Sequence, residues 1–305
     1  QGYDAYQDSL ANWRWMKKGK KSKTEGHAVG DGKTPHETAT SVNERVLGLL
    51  DEQVVHLSKQ PFFMHLVYME PHTPRYPPQR HLTALKAQAA AMQPPLQRSQ
   101  DVIEYDAELR FADEAFGELL DNLTKRGLMD NTLLVVVSDH GEGLDANPEY
   151  PGSALHGHYL TESLTRVPLI LKHSDLPSGH VVGSMASTID LFPTLADYLG
   201  APLEPDAVDG RSLISEIRQA SGEGGTAPPV FSETEMGPFN KVSLRTGTHT
   251  LFVNTDAQLF QETGAHENRK IKRKIKAKLR AVPPEELYRR ADIEGPSRNR
   301  LEQEP

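Results

Sequence analysis

Cysteine is absent from all 305 residues. That excludes disulfides, zinc–thiolate sites and a thiol nucleophile within the chain. It leaves the compartment open, because a disulfide-free protein can live anywhere. Long apolar runs are missing as well: nothing approaches the ~18 consecutive apolar residues of a membrane span. Gln1 opens a polar stretch without an apolar h-region, so the sequence carries no recognisable signal peptide. Positive charge is in the minority. With 34 Lys+Arg against 42 Asp+Glu the formal net charge is −8, which argues against general nucleic-acid binding. No internal repeat is visible. What the chain does have is 37% hydrophobic and 25% charged residues, the composition of a soluble protein with a packed core. Its length suits one large domain, or a domain with a smaller companion.

The stretch before about Thr40 is polar and glycine-containing, and reads as irregular surface chain. "TPHETATSVNERVLGLLDEQ" reads as a helix, with Thr34 as its cap, Pro35 at its first position and Glu37 three residues beyond the cap. "PFFMHLVYM" is short and almost continuously apolar, which suits a buried strand. The prolines of "EPHTPRYPP" then force the chain out of regular structure. "DVIEYDAELRFADEAFGELLDNLTKRGLMDNT" is the clearest helix, with apolar residues at helical spacing and Gly127 as its C-cap. The run Leu133–Val137 is a strand, "TRVPLILKH" another, and "STIDLFPTLADYLG" a helix ending at Gly200. This alternation predicts an α/β fold, a mostly parallel sheet flanked by helices. After the linker "RQASGEGGTAPP", the segment "VSLRTGTHTLFVNTD" reads as a two-strand hairpin. The expected organisation is an α/β domain over residues 1–220 and a small C-terminal α+β subdomain over 228–305.

Ligands in open α/β sheets sit beyond the carboxyl ends of the strands. Asp139 and His140 end the run "LLVVVSDHG" there. A carboxylate beside an imidazole can hold a divalent cation, and Gly141 allows close approach of backbone or ligand. The plain alternative is a turn in which Asp139 is the cap and His140 a surface bystander. His72 lies between the two prolines of "EPHTP", and His156 and His158 flank a glycine in "LHGHYL". Taken singly, each of these histidines reads first as a loop or packing residue.

Taken in order, the segments are more specific. The helix "YDAELRFADEAFGELLDNL", then "VVVSDHGE", "HGHYLTESLTRVPLI", "STIDLFPTLADYLG" and "VDGRSL" resemble the later two thirds of a sulfatase, a family of the alkaline-phosphatase superfamily. "PFFMHLVYMEPHTPRYPP" resembles the family's preceding strand and histidine loop, "QGYDAY" the segment after its Lys-x-His motif, and "ELYRRADIEGPSRNRL" its closing stretch. The resemblance implies that Asp139 and His140 ligate a divalent cation, usually calcium. Many members carry Asn where His140 stands. Histidine occurs there in other sulfatases and in phosphonate and phosphodiester hydrolases, some of which use manganese or zinc, so the metal stays open. His72 matches the histidine that contacts the ester oxygen and assists the leaving group. His156 matches a lysine or histidine touching the sulfate, and His158 falls at a variable position.

The family's nucleophile, a Cys or Ser in Cys/Ser-x-Pro/Ala-x-Arg that becomes formylglycine, has no counterpart in these residues. Neither have two further acidic metal ligands. Two protein ligands alone cannot satisfy calcium, which takes ~6–8 oxygens, and without a nucleophile no covalent intermediate forms. The expectation is therefore a fragment of a sulfatase, inactive alone. A phosphonate or phosphate ester hydrolase and a non-catalytic anion-binding homologue are the alternatives. The resemblance also implies a periplasmic or secreted protein. Finally, residues 269–280, "RKIKRKIKAKLR", place Ile271, Ile275 and Leu279 on one stripe between basic faces. This is a solvated helix or a contact for a polyanion such as a sulfated glycan.

Overall fold

The computed structural model describes residues 37–57, 61–92, 98–144, 156–157, 159–201, 203–204, 207–219, 227–234, 240–255 and 285–289. The N-terminal stretch, His158 and the basic segment 269–280 lie outside the described residues. The chain divides into two compact units, Gln1–Asp130 and Asn131–Pro305.

In the first unit α1 spans Ala39–Leu57, α2 Gln79–Ala91 and α3 Gln100–Lys125. The N-terminal cap of α1 is Thr38 rather than Thr34: its hydroxyl accepts from Ser41 N–H at 3.3 Å, and its carbonyl accepts from Val42 N–H at 3.0 Å. A side-chain acceptor wins the cap position where it reaches a free amide of the first turn. Thr38→Ala is expected to cost ~1 kcal/mol, read as a lower urea midpoint with an unchanged slope. Ser99 caps α3 by accepting from Val102 N–H. Its other end closes as the sequence suggests. Gly127 takes φ 67°, while Leu128 N–H returns to the Leu123 carbonyl at 3.0 Å, a left-handed closure that glycine adopts without steric cost.

Val46 and Leu50 of α1 meet Leu119 and Leu123 of α3 in the core of this unit, with Met64 and Leu66 packed against them. Those two methionine and leucine side chains come from the "PFFMHLVYM" run. The run alternates like a strand, Phe63 and Val67 pointing out at 73% and 50% exposure, yet it belongs to no sheet among the described residues. It is held by side chains instead: Tyr68 donates to the Asn43 amide oxygen, and Asn43 donates to the Ala115 carbonyl at 2.7 Å.

The second unit corrects the expected sheet. Strand β1, Leu134–Val137, pairs antiparallel with β2, Leu169–Lys172, with Leu134 opposite Lys172 and Val137 opposite Leu169. No parallel pair occurs among the described residues; the other sheet, β3-β4-β5-β6, is antiparallel too. A parallel return needs a crossover of a dozen or more residues, usually built on a helix. The described helix between β1 and β2 is α4, Glu162–Thr165, four residues long, and the chain comes back beside β1 in the opposite direction. The burial expected of β1 is also missing. Its first three residues are half-buried, and Val137 is 41% exposed.

Beyond β2, a 3₁₀ turn at Thr188–Asp190 leads into α5, Leu191–Tyr198, and α6 follows at Ile214–Arg218. Asp190 joins "STID" to "VDGRSL": its carboxylate accepts from Ser187 N–H at 2.8 Å and from Arg211 N–H at 2.9 Å. Strands β3, Val230–Thr234, β4, Asn240–Arg245, β5, His249–Thr255, and β6, Glu285–Arg289, complete the unit. β4 and β5 form the hairpin read from the sequence.

Candidate functional site

The chain leaves β1 at Ser138 and turns at once. Ser138 Oγ donates to the His140 carbonyl at 2.8 Å, and Asp139 Oδ1 accepts from His140 N–H at 2.9 Å. The turn is locked to the segment before β2 by Gly141 N–H, which donates to the Leu164 carbonyl at 2.8 Å. This contact dictates the glycine. A Cβ at position 141 would stand 2.0 Å from the Ser163 carbonyl oxygen, so the reason for glycine is close backbone approach rather than unusual dihedrals.

The same lock gathers the side chains. The His140 and His156 rings stack with centroids 4.3 Å apart and planes 26° from parallel. His156 Nδ1 lies 3.4 Å from Glu142 Oε1. His140 Nδ1 lies 2.8 Å from the Gly141 carbonyl. A carbonyl only accepts, so that nitrogen carries the proton and a neutral ring keeps its lone pair on Nε2. His156 is held from below. Thr234 of β3 donates to the Gly157 carbonyl. Arg245 of β4 donates to Thr165 Oγ1 at 2.8 Å and to the Leu160 carbonyl at 3.3 Å. Lys241, four residues earlier on the same face of β4, sets its ammonium 5.1 Å from the Tyr159 ring centre.

The structure thus brings Asp139, His140 and His156 together. It adds Glu142, which the sequence reading passed over although it directly follows "SDHG". His72 belongs to the first unit and sits in a loop of its own, its N–H bonded to the Met69 carbonyl at 2.7 Å.

Among the described residues no three His, Asp or Glu side chains gather into a metal-holding group. Asp139 and His140 nevertheless suit two positions of one. Asp139 Oδ2 and His140 Nε2 are 3.7 Å apart, and two donors set at right angles on a cation with ligand distances of ~2.3–2.6 Å lie about 3.3–3.7 Å apart. The Asp139 side chain is 87% exposed, so no buried partner competes for it.

Residues 1–201 match the sulfatase family model. The chain belongs to the sulfatase family. Among similar proteins, a sulfatase of Formosa agariphila is 24% identical over 260 residues, covering 73% of this chain and 49% of that one. An ulvan-active sulfatase of the same organism is 27% identical over 57% of this chain and 36% of its own length. In solved structures, the phosphonate monoester hydrolase of Silicibacter pomeroyi has a TM-score of 0.58 at 20% identity, covering 92% of this chain and 62% of that one. At that identity the likeness speaks for the fold alone. The chain spans about half or less of the length of these curated relatives. No described helix of this sulfatase-family chain is long and apolar enough to cross a membrane.

Proposed function

We propose that the chain carries part of the active site of a sulfuric ester hydrolase, with Asp139 and His140 as two ligands of a divalent cation. The observation that carries this reading is the cluster after β1, where the His140 and His156 rings stack at 4.3 Å beside the exposed carboxylate of Asp139. A bound cation, calcium first and manganese or zinc as alternatives, supplies positive charge against the oxygens of a sulfate ester. His156, paired with Glu142, donates to a sulfate oxygen and stabilises charge developing there. His72 donates a proton to the leaving alkoxide or phenoxide. The nucleophile and the remaining ligands have no counterpart in the 305 residues, so the reaction requires groups from outside them. Sulfated polysaccharide is the favoured substrate class, supported by the match to an ulvan-active sulfatase. The basic segment 269–280 is a candidate contact for such a polyanion.

One observation favours a second reading. His140 offers an imidazole Nε2 where an amide oxygen would suit calcium better, and imidazole suits manganese or zinc. That donor keeps a phosphonate or phosphate ester hydrolase in contention. The test takes the 305-residue chain and the protein with any coding sequence that precedes Gln1, and measures metal content beside hydrolysis of matched aryl sulfate and aryl phosphonate esters. The expected result is aryl sulfate turnover by the longer protein only, with His140→Asn retaining calcium and rate. Loss of manganese or zinc in His140→Asn together with preferred phosphonate turnover establishes the second reading. Unaltered metal content and rate in both Asp139→Ala and His140→Ala reduces the "SDHG" turn to a structural feature and removes both.

A further inference from the structure

Glu108 has no role in the reading above, yet it is 2% exposed and among the largest fully buried side chains of the protein. It sits on α3 next to the wholly buried Ala107, where an apolar residue would cost nothing. A carboxyl group is costly to bury unless it is bonded. Its Oε1 accepts from the backbone N–H of Tyr76, and its Oε2 is buried without a partner among the described residues.

Tyr76 ends the loop that presents His72, and that loop is tied down on both sides of His72. Before His72, Glu70 Oε1 accepts from Ala39 N–H at the start of α1, at 3.0 Å. After it, the buried Arg75 side chain donates to the Pro71 carbonyl at 3.1 Å, pairs with Asp101 of α3 and lies 5.3 Å from the Tyr105 ring centre. These ties fix the two ends of the histidine segment against α1 and the first turns of α3. The Tyr76 amide is the last attachment before α2 begins at Gln79, and Glu108 supplies it from the middle of α3.

We propose that Glu108 is a positioning residue for His72: from the buried face of α3 its carboxyl group holds the Tyr76 N–H and so fixes the loop on which His72 is presented. The proposal rests on the reading of His72 as the leaving-group acid. Burial drives the Glu108 carboxyl up to about 7; the Tyr76 bond and Arg75 oppose that shift, and Glu70 of the loop and Glu104 of α3 add to it. The attachment therefore changes character close to neutrality. The carboxylate, a charge-assisted acceptor for the Tyr76 N–H, predominates above about 7 and the neutral acid below it.

The test is NMR of the full 305-residue chain, reading the Tyr76 amide proton and the carbon-bound ring protons of His72 across pH 5–9. In the unaltered protein the Tyr76 amide is expected to titrate with a midpoint near 7. Glu108→Gln keeps an oxygen acceptor without ionising. It has to abolish that titration and, at pH 5, where the Glu108 carboxyl is neutral, give the His72 ring protons the same positions as in the unaltered protein. Glu108→Ala removes the acceptor and has to displace the His72 ring protons throughout, with the α3 amides unmoved. Should that variant fail to fold, Glu108→Asp carries the test, since it keeps the charge but withdraws the acceptor by one methylene; it too has to displace them. His72 ring protons that coincide with those of the unaltered protein, in a folded Ala or Asp variant whose Tyr76 amide has moved, overturn the proposal. Because nothing here depends on turnover, a failure of His72 as an acid, seen as an unimpaired rate in His72→Ala, leaves this result separately readable.

Discussion

Replacing Gly141 by alanine is expected to damage the second unit severely. The added Cβ would stand 2.0 Å from the Ser163 carbonyl oxygen and 3.2 Å from the Leu164 Cα. Both are backbone atoms, so no rotamer change relieves the overlap. The turn must separate from the segment before β2, which breaks the Gly141 N–H bond to Leu164. A loss on the order of 3–5 kcal/mol is expected, at the upper end for single substitutions. Gly127 provides the control. It takes φ 67° but a Cβ there meets nothing within 4 Å, so Gly127→Ala costs only the left-handed penalty of roughly 1–2 kcal/mol. Urea unfolding of the two variants measures the difference. A Gly141→Ala protein within ~0.5 kcal/mol of the parent would mean that the close approach of turn and helix is not maintained in solution. The change should also separate the His140 ring from the His156 ring.

The second large effect concerns hydrolysis. In the form of the protein that turns over aryl sulfate, His156→Ala is expected to lower kcat/KM by ~10²–10³-fold, the usual loss for one charge-stabilising donor. His72→Ala should lose a similar factor, for one acid. The two variants differ in one respect. His156 touches His140, with ring centroids 4.3 Å apart, whereas His72 lies in the other unit. Residues in contact do not contribute additively. The double variant His140→Ala/His156→Ala should therefore lose less than the product of its single losses. Strict additivity, or a His156→Ala rate within a factor of three of the parent, would remove His156 from the site.

How far the sequence could be read depended on whether the signal was local. The Gly127 closure of α3 and the β4–β5 hairpin lie in a few consecutive residues, and both were legible. Helix α2 was not. "QRHLTALKAQAAA" has no apolar stripe, and its buried side chain is a histidine, His81, bonded to Glu114 at 2.9 Å. The α1 cap was misplaced by four residues because Thr34 and Thr38 offer the same hydroxyl, and only the position of Ser41 N–H selects between them. Strand direction failed for a longer-range reason. Alternation of strands and helices says nothing of whether the connecting chain crosses the sheet, and between β1 and β2 the described helix is a single turn. At the site, residue types alone left Asp139, His140 and His156 ambiguous, and only the order of segments resembling a sulfatase singled them out. Glu108 gave no such sign: a glutamate within a helix reads as surface until its burial is known.

The grip of β4 on the site has a consequence for the order in which the protein assembles. Arg245 bonds to Thr165 and Leu160, 80 and 85 residues away along the chain, and Thr234 to Gly157, 77 away. Contacts of such span carry the loop-closure entropy of the whole intervening chain before they repay any of it, and proteins rich in them fold slowly. The β4–β5 hairpin and helix α3 form from near neighbours. The segment bearing His156 must wait for a strand made long after it on the ribosome. Nascent chains cut short before Arg245 would accordingly display the "SDHG" turn without the platform that fixes His156. The arrangement around His156 is thus completed late in synthesis, not when its own residues emerge.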